Sequence, residues 1–367
     1  LPEGLVETAA NGLLSCELLS TMCEDLGVRL LKPIPSAKKR FILTQGRPRR
    51  WPLGVGDSLL FGWRLLQLLL FKRKSLSPQK LESVAHYVRR VFSVPVLDRL
   101  VAPALQGIYA GEAEKLSARL LLGRFFGNPV ETSMRLVPLD RQRKGGTVSP
   151  LGGMGELVHA LRRWLSDQDV KFNYNYEVDI DEGLWVVCTS VRQASVLLNE
   201  RAPELANSLA AIPMLPLISV TVFFKSGDKE LEGFGCLFPR SEGLRALGVV
   251  FNSSVFEGRS QHRSETWIFG GAIDLGVMDW TDEGTIGTLL EDRRKAFGLE
   301  ARPVEYKITR WPKALPHFTT ELERTLEELE LPKGIWLHGN YLGSIGLSQI
   351  LERSFQMAET LCDDCCL

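Results

Sequence analysis

Hydrophobic and polar positions alternate along this chain with two periods, one helical and one extended. Between residues 56 and 127, apolar residues recur every three or four positions, which predicts a block of consecutive helices. Ser77 and Pro78 are residue types typical of a helix cap and first turn, so one helix is expected to begin there. The predicted helices lie near residues 13–27, 56–71, 77–92, 94–106, 112–123, 156–165, 284–297 and 348–361.

The extended period predicts strands of two kinds. Residues 170–176 alternate apolar and polar side chains, whereas 184–188 and 335–338 are continuous apolar runs typical of buried parallel strands. Since these two parallel-type strands lie far apart in sequence, one domain is expected to consist of discontinuous pieces. Turn-separated runs predict an antiparallel sheet from residues 217–224, 245–251 and 266–273, and a further strand is predicted at 41–44.

An uncharged stretch of 20 residues, Leu205 to Phe224, is long enough to cross a bilayer. It contains Pro213 and Pro216, and it ends in β-branched and aromatic residues. We interpret it as a loop that leads into a buried strand, and a membrane span is the less favoured alternative.

Composition narrows the class of protein. A chain of 367 residues is long for one core and predicts two or three compact units. Basic and acidic residues number 44 each, so a dedicated nucleic-acid binder, which is usually basic, is disfavoured. Seven cysteines without paired CxxC motifs favour a reducing compartment over a disulfide framework. No metal, hydrolase or phosphate-loop motif is present, so no metal site is predicted.

One stretch is strongly basic. From Lys32 to Lys74 the chain has 11 Lys or Arg residues and a single acidic residue, Asp57. Within it, residues 59–71 are rich in leucine and contain Trp63, a combination typical of helices at an anionic membrane surface. The run is too short to span, so peripheral association is predicted. A buried helix between solvated basic loops is the open alternative.

Residues 335–349 read as a strand, a glycine-rich turn and a helix. Small residues let a ligand approach the backbone closely, and N–H groups at a helix start can bind an anion or a carbonyl edge. By spacing alone, a tight connection without any ligand explains this pattern equally well.

Several segments together resemble the protoporphyrinogen oxidase family of flavin amine-oxidase-like flavoproteins. The most specific is residues 101–117, which contain P-x-x-x-G-x-Y-A-G-x-x-x-x-L-S. Residues 4–11, 231–239, 247–256, 310–316 and 339–347 are also similar to family segments and occur in the family's order. The resemblance covers nearly the whole chain.

The resemblance implies an α/β plus α+β fold with three domains. These are a discontinuous FAD-binding Rossmann-like domain (1–26, 149–202 and 300–367), an antiparallel-sheet substrate domain (27–50 and 203–299), and a helical insertion at the membrane and substrate pocket (51–148). The family's glycine-rich phosphate loop precedes the segment that matches Gly4, so the FAD domain is expected to be incomplete, without strands 1 and 2, and unable to hold FAD alone. The family strand order 3-2-1-4-5 would put strand 3 near 171–176, strand 4 near 184–188 and strand 5 near 335–338.

The resemblance also implies an activity, the oxidation of protoporphyrinogen IX to protoporphyrin IX in haem biosynthesis, with FAD as cofactor and oxygen as acceptor. The flavin carries the chemistry, so no catalytic side chain is implied. The expected partners are a porphyrinogen and a membrane surface but no nucleic acid, the expected location is the cytoplasmic side of that membrane, and a homodimer is left open. The alternatives are another enzyme of the superfamily such as a desaturase, a non-catalytic membrane-associated paralogue, or an inactive fragment.

Individual roles follow from matched positions. Arg40 matches the arginine that pairs with a substrate propionate, and Tyr176 stands where the family prefers valine against adenine. The other implied substrate residues are Asn11, Ala104, Leu105, Phe234, Gly235, Leu237 and Ile268. The implied flavin contacts are Tyr176, Thr189, Trp311, Gly339, Asn340, Gly343, Ile345, Gly346 and Leu347.

Overall fold

The computed structural model describes residues 1–71, 76–126, 128, 130, 146–225, 227 and 230–365. The basic residues 72–74 noted in the sequence lie outside this set. Contacts divide the chain into two compact units, the first made of residues 1–9, 33–129 and 214–320, the second of 10–32, 130–213 and 321–367. The three-domain division stays a prediction.

The first unit is built around a seven-stranded sheet, and the antiparallel sheet expected from the sequence is its main part. Only Arg40–Thr44 and Gly235–Leu237 run parallel; the other neighbouring strands are antiparallel. In sheet order the strands are Glu305–Pro316, Met214–Phe224, Arg263–Gly270, Gly248–Val250, Gly235–Leu237, Arg40–Thr44 and Arg47–Arg49.

One face of this sheet forms the main hydrophobic core. From Ile218 to Phe224, the even-numbered residues of the Met214–Phe224 strand are fully buried, and they pack with Trp267 and Leu289. Leu289 belongs to the helix Asp282–Phe297, which covers this face. At ~25 cal/mol per Å² of apolar surface, each such side chain contributes about 1.5–3 kcal/mol of burial free energy.

Two helices of the first unit begin later than predicted, and the one expected near residue 112 begins at Ala118 after the cap residue Ser117. The helix expected near residue 77 begins at Val84, because Leu81 has a left-handed φ of 54° that interrupts helical backbone. Ser83 caps it, accepting a hydrogen bond from the His86 N–H at 3.2 Å. Besides Asp282–Phe297, the longer helical segments of this unit are Val55–Phe71, Val84–Val91, Val94–Val96, the π-helix Leu97–Val101, Ala102–Tyr109 and Ala118–Leu122.

The second unit contains two small sheets. Thr147–Pro150 pairs antiparallel with Leu13–Leu14 and with Leu30–Leu31, where Leu13–Leu14 is a strand rather than the predicted helix start. Trp185–Val187 pairs in parallel with Ile335–Leu337. These two strands are the predicted strands 4 and 5, which the family strand order makes neighbours. The helices are Glu17–Asp25, Met154–Asp167, Val191–Leu198, Pro203–Ala210, Thr320–Glu327 (its first residue counted with the first unit) and Leu347–Cys365.

Two expectations for this unit are wrong. Residues 171–176 are coil rather than strand 3, and the alternating side chains Phe172, Tyr174 and Tyr176 are exposed. A strand needs a hydrogen-bonding neighbour, and no described strand pairs with this segment. The stretch after Leu205 is not a loop, because Pro203–Ala210 is a helix that begins with proline in its first turn. Among the described residues, no helix is long and apolar enough to cross a membrane.

Candidate functional site

Seven of the eight predicted substrate residues lie in the first unit, and the eighth, Asn11, lies in the second. Arg40 opens its strand in register with Gly235, and its guanidinium carbon lies 4.7 Å from the ring centroid of Phe234. The Arg40 side chain is exposed and makes no ion pair with any described residue. The sheet edge therefore presents a cation with its planar fork available to an anion.

The sheet face beside Arg40 is apolar, and glycines leave parts of it without side chains. Leu237 pairs with Gly248, and Gly248 pairs with Ile268, so the two apolar side chains flank a position without one. Glycine is required there because a Cβ on Gly248 would lie 2.8 Å from the carbonyl oxygen of Cys236. Gly235 is tighter still, since its Cβ would lie 2.1 Å from the carbonyl oxygen of Val249. This face suits a broad, apolar ligand.

The helix Ala102–Tyr109 lies against the same face. It approaches through Gly107, where a Cβ would be 2.3 Å from Cδ2 of Leu237. Its end is fixed by Ala110, whose carbonyl oxygen accepts a hydrogen bond from the Ala272 N–H at 2.8 Å. The predicted pocket residues Ala104 and Leu105 are half-buried on this helix.

A row of buried hydroxyl groups on this face was not predicted. The Oγ1 atoms of Thr221 and Thr266 are 3.0 Å apart, and Asn252 donates to Thr266 at 2.8 Å. Ser219, two residues before Thr221, is buried, but its Oγ has no hydrogen-bond partner within the described part of the chain. The signal available in the sequence was the two hydroxyl residues at alternate positions of an otherwise apolar strand.

The predicted flavin contacts fall mostly at one place in the second unit. Thr189 follows the strand Trp185–Val187, and Gly339 follows Ile335–Leu337, so both lie beyond the carboxyl ends of two parallel strands. Crevices at such ends are where open α/β sheets bind ligands. Gly343, with φ of 90°, then turns the chain toward the helix Leu347–Cys365. The turn thus assembles Gly339, Asn340, Gly343, Ile345, Gly346 and Leu347.

These residues fit the ring end of a dinucleotide cofactor. Tyr341 is fully buried, its hydroxyl has no partner among the described residues, and burial raises the pKa of this hydroxyl, which keeps it a neutral donor. A Cβ on Gly339 would lie 2.4 Å from the Tyr341 ring. The phosphate end is different, because no strand in this sequence is followed by G-x-G-x-x-G.

Two predicted contacts stand apart from that turn. Tyr176 lies on the exposed coil, 69% exposed, with no hydrogen bond or ring contact to a described residue. Trp311 belongs to the first unit, where its Nε1 donates to the carbonyl oxygen of Thr8 at 3.0 Å. Both roles stay predictions.

Comparison with known proteins agrees with this picture. The fold is shared with oxidases: a cyclohexylamine oxidase from Brevibacterium oxydans has a TM-score of 0.67 at 15% identity, covering 97% of this chain and 87% of its own. A candidate protoporphyrinogen oxidase from Exiguobacterium reaches a TM-score of 0.72 at 18% identity, covering 98% and 88%.

The relatives found by sequence similarity indicate a narrower class of proteins than the shared fold does. The chloroplastic protoporphyrinogen oxidase of Oryza sativa is 26% identical over 98% of this chain and 79% of its own length. A coproporphyrinogen III oxidase from Bacillus subtilis is 20% identical over 74% and 65%. No family model matches the chain. The predicted resemblance to protoporphyrinogen oxidases is confirmed by these curated relatives.

Proposed function

We propose that this protein is a flavin-dependent oxidoreductase that converts a porphyrinogen to a porphyrin. The observation that carries the proposal is the unpaired Arg40 beside the apolar face of Leu237 and Ile268. Porphyrinogens combine a large apolar ring with carboxylate side arms, and a guanidinium fork binds a carboxylate in a bidentate manner. The same cation disfavours a cationic amine as substrate, because like charges repel.

The finer form of the proposal is FAD as cofactor, protoporphyrinogen IX as substrate and oxygen as acceptor. The turn from Gly339 to Leu347 would hold the flavin ring, with backbone N–H groups toward its polar edge. When bound, the flavin accepts the hydride removed from the substrate ring. The residues of this chain bind and orient the substrate and exclude water from the site. Arg40 is assigned to a substrate propionate.

We also propose that the protein associates peripherally with an anionic membrane on its cytoplasmic side. In the Val55–Phe71 helix, Leu59, Trp63 and Leu70 are 71%, 58% and 65% exposed, so the helix does not bury its apolar residues in its own unit. Exposed apolar residues beside basic ones suit the interface of an anionic bilayer.

Vesicle pelleting tests the membrane proposal. The chain should pellet with vesicles containing anionic lipid and much less with neutral ones. Replacing Leu59 and Trp63 with aspartate should abolish pelleting, whereas Val158→Asp, at an exposed position of the second unit, should not. Equal pelleting of both variants would contradict the proposal.

The activity is tested by adding FAD to the purified chain and following porphyrin fluorescence with protoporphyrinogen or coproporphyrinogen as substrate. Because the FAD-binding domain is predicted to lack its phosphate loop, we expect the chain to bind porphyrinogen and to form porphyrin only with FAD in excess; cyclohexylamine and putrescine should not be oxidised. Binding of porphyrinogen without turnover would support the substrate site and separate it from the cofactor. A chain that neither binds nor oxidises either porphyrinogen would contradict the proposed function.

A further inference from the structure

The most informative unexplained atom in the first unit is the hydroxyl oxygen of Ser219. Ser219 is only 5% exposed, and its Oγ has no hydrogen-bond partner among the described residues. A buried hydroxyl without a partner costs about 1–3 kcal/mol, so such a group is expected to be retained only where something absent from the chain satisfies it.

The register of the sheet determines on which face the Ser219 hydroxyl lies. Ser219 pairs with Ile268 on one side and with Thr309 on the other, so all three side chains lie on the face that carries Leu237. The opposite face is the hydrophobic core, which Ile218 and Val220 enter. Ser219 therefore lies on the candidate substrate face and not in the core.

Apart from Thr221 and Thr309, the neighbours of Ser219 on this face are apolar. Leu217, Ile268 and Leu315 are partly exposed and pack around buried Leu215 and Leu247. An apolar surface with few polar groups is the usual lining of a small-molecule site, and those polar groups fix the ligand's orientation.

The other hydroxyl groups of the row differ from Ser219 because they are already satisfied. Thr221 and Thr266 contact each other at 3.0 Å, and Asn252 donates to Thr266 and to Ser264. Ser219 is thus the member of this row that is left to bond a ligand.

We infer that the Ser219 hydroxyl accepts a hydrogen bond from a pyrrole N–H of the reduced tetrapyrrole, a contact that makes Ser219 a specificity-determining residue. The inference rests on the proposed function. In a porphyrinogen, sp³ bridging carbons let the four N–H groups turn out of the ring, whereas in the flat porphyrin the N–H groups point into the ring centre. Ser219 would therefore favour the reduced substrate over the oxidised product and assist product release.

The test measures affinity and stability together, without turnover. Under anaerobic conditions and without flavin, a porphyrin is titrated by its fluorescence, and the porphyrinogen by its displacement of that porphyrin. Ser219→Ala should weaken porphyrinogen binding about fivefold and porphyrin binding less than twofold. Because the variant removes an unsatisfied buried hydroxyl, the midpoint of thermal unfolding of the ligand-free chain should rise by about 2 °C.

Thr221→Val is the matched control, since its hydroxyl lies on the same face but is already bonded. It should lower the unfolding midpoint and leave the ratio of the two affinities unchanged. The inference is overturned if Ser219→Ala weakens both ligands equally or neither, or if it lowers the midpoint, which would indicate that an ordered water satisfies the hydroxyl. A wild-type chain that binds neither tetrapyrrole would instead overturn the proposed function, and with it this inference.

Discussion

The two units of this chain differ in how completely each pairs its own strands. In the first unit, a seven-stranded sheet has its core face covered by the helix Asp282–Phe297. In the second, the parallel sheet has two strands within the described residues, and Leu184 and Val186 beside an edge that no described strand pairs are exposed. An unpaired, apolar strand edge is a site for further pairing or aggregation. A strand-like pattern therefore becomes a strand only where a neighbour supplies its hydrogen bonds.

The units also differ in their buried charges. In the first unit, Glu265 accepts hydrogen bonds from Arg263, Arg293 and Trp267, and all four residues are buried. In the second, buried His338 has a lowered pKa, because burial and the nearby charge of Arg353 disfavour its protonated form. The first unit thus buries paired charges, whereas the second keeps a titratable group neutral.

The largest effect should come from breaking the buried charge cluster of the first unit. Glu265→Gln leaves two buried arginines without their counter-ion, which we expect to cost about 3–5 kcal/mol of the free energy of unfolding. Denaturant unfolding, followed by fluorescence of the buried Trp267, measures the loss. The control Glu291→Gln breaks an exposed pair with Lys295 and should change little. Equal stability of the two variants would show that the cluster does not stabilise this unit.

Acid should distinguish the two units. In the first, burial alone would raise the pKa of Glu82, but hydrogen bonds from Arg90 and the Gln79 N–H lower it below its usual 4.5. The stability contributed by Glu82 is then present above pH 4.5 and is lost as pH falls from 4.5 through its folded pKa. The stability from neutral His338 is present above pH 6.5 and is lost as pH falls from 6.5 through its own lowered pKa.

Unfolding measured from pH 7 to pH 3 tests this difference. We expect His338→Gln to flatten the pH dependence below 6.5, and Glu82→Gln to flatten it below 4.5 and to cost about 1.5–3 kcal/mol at pH 7. Identical pH profiles for the wild type and both variants would remove this distinction between the units.

Arg40→Ala should cause a smaller change in free energy, but it tests the substrate face directly. Loss of a charge-assisted contact to a propionate should raise KM for porphyrinogen about tenfold, with kcat little changed. Arg47→Ala, on the neighbouring strand of the same sheet, is the matched control and should leave KM unchanged. An unaltered KM in Arg40→Ala would exclude Arg40 from the substrate site.

The smallest effect on folding is expected at the exposed edge of the second unit. Val186→Lys places a charge at an exposed position of the strand Trp185–Val187 and should reduce aggregation while changing stability by less than about 0.5 kcal/mol. Light scattering at increasing protein concentration measures the aggregation. The control is Val158→Lys, at an exposed position of a helix. Equal aggregation of the wild type and both variants would mean that this edge does not govern association.

The elements that the sequence predicted well are those whose patterns are local. The strand at 41–44, the parallel neighbours at 184–188 and 335–338, and the helix at 284–297 were all found within a few residues of their predicted bounds. A glycine turn and an arginine beside a strand are likewise visible in sequence, and comparison with a family then suggested their chemistry. These features depend on residues adjacent in the chain, which pattern and propensity describe.

Tertiary structure decided what depends on partners distant in sequence. Residues 171–176 have a strand's alternation but no neighbour to pair with, and Ser219 looks like Thr221 until the register shows that only Thr221 has a bonded partner. The close approach of Gly107 to Leu237 is of the same kind, since 130 residues separate them. Hydrogen bonds and steric contacts act over a few ångströms in space, so sequence determined the residue types here, and only the fold determined which of them meet.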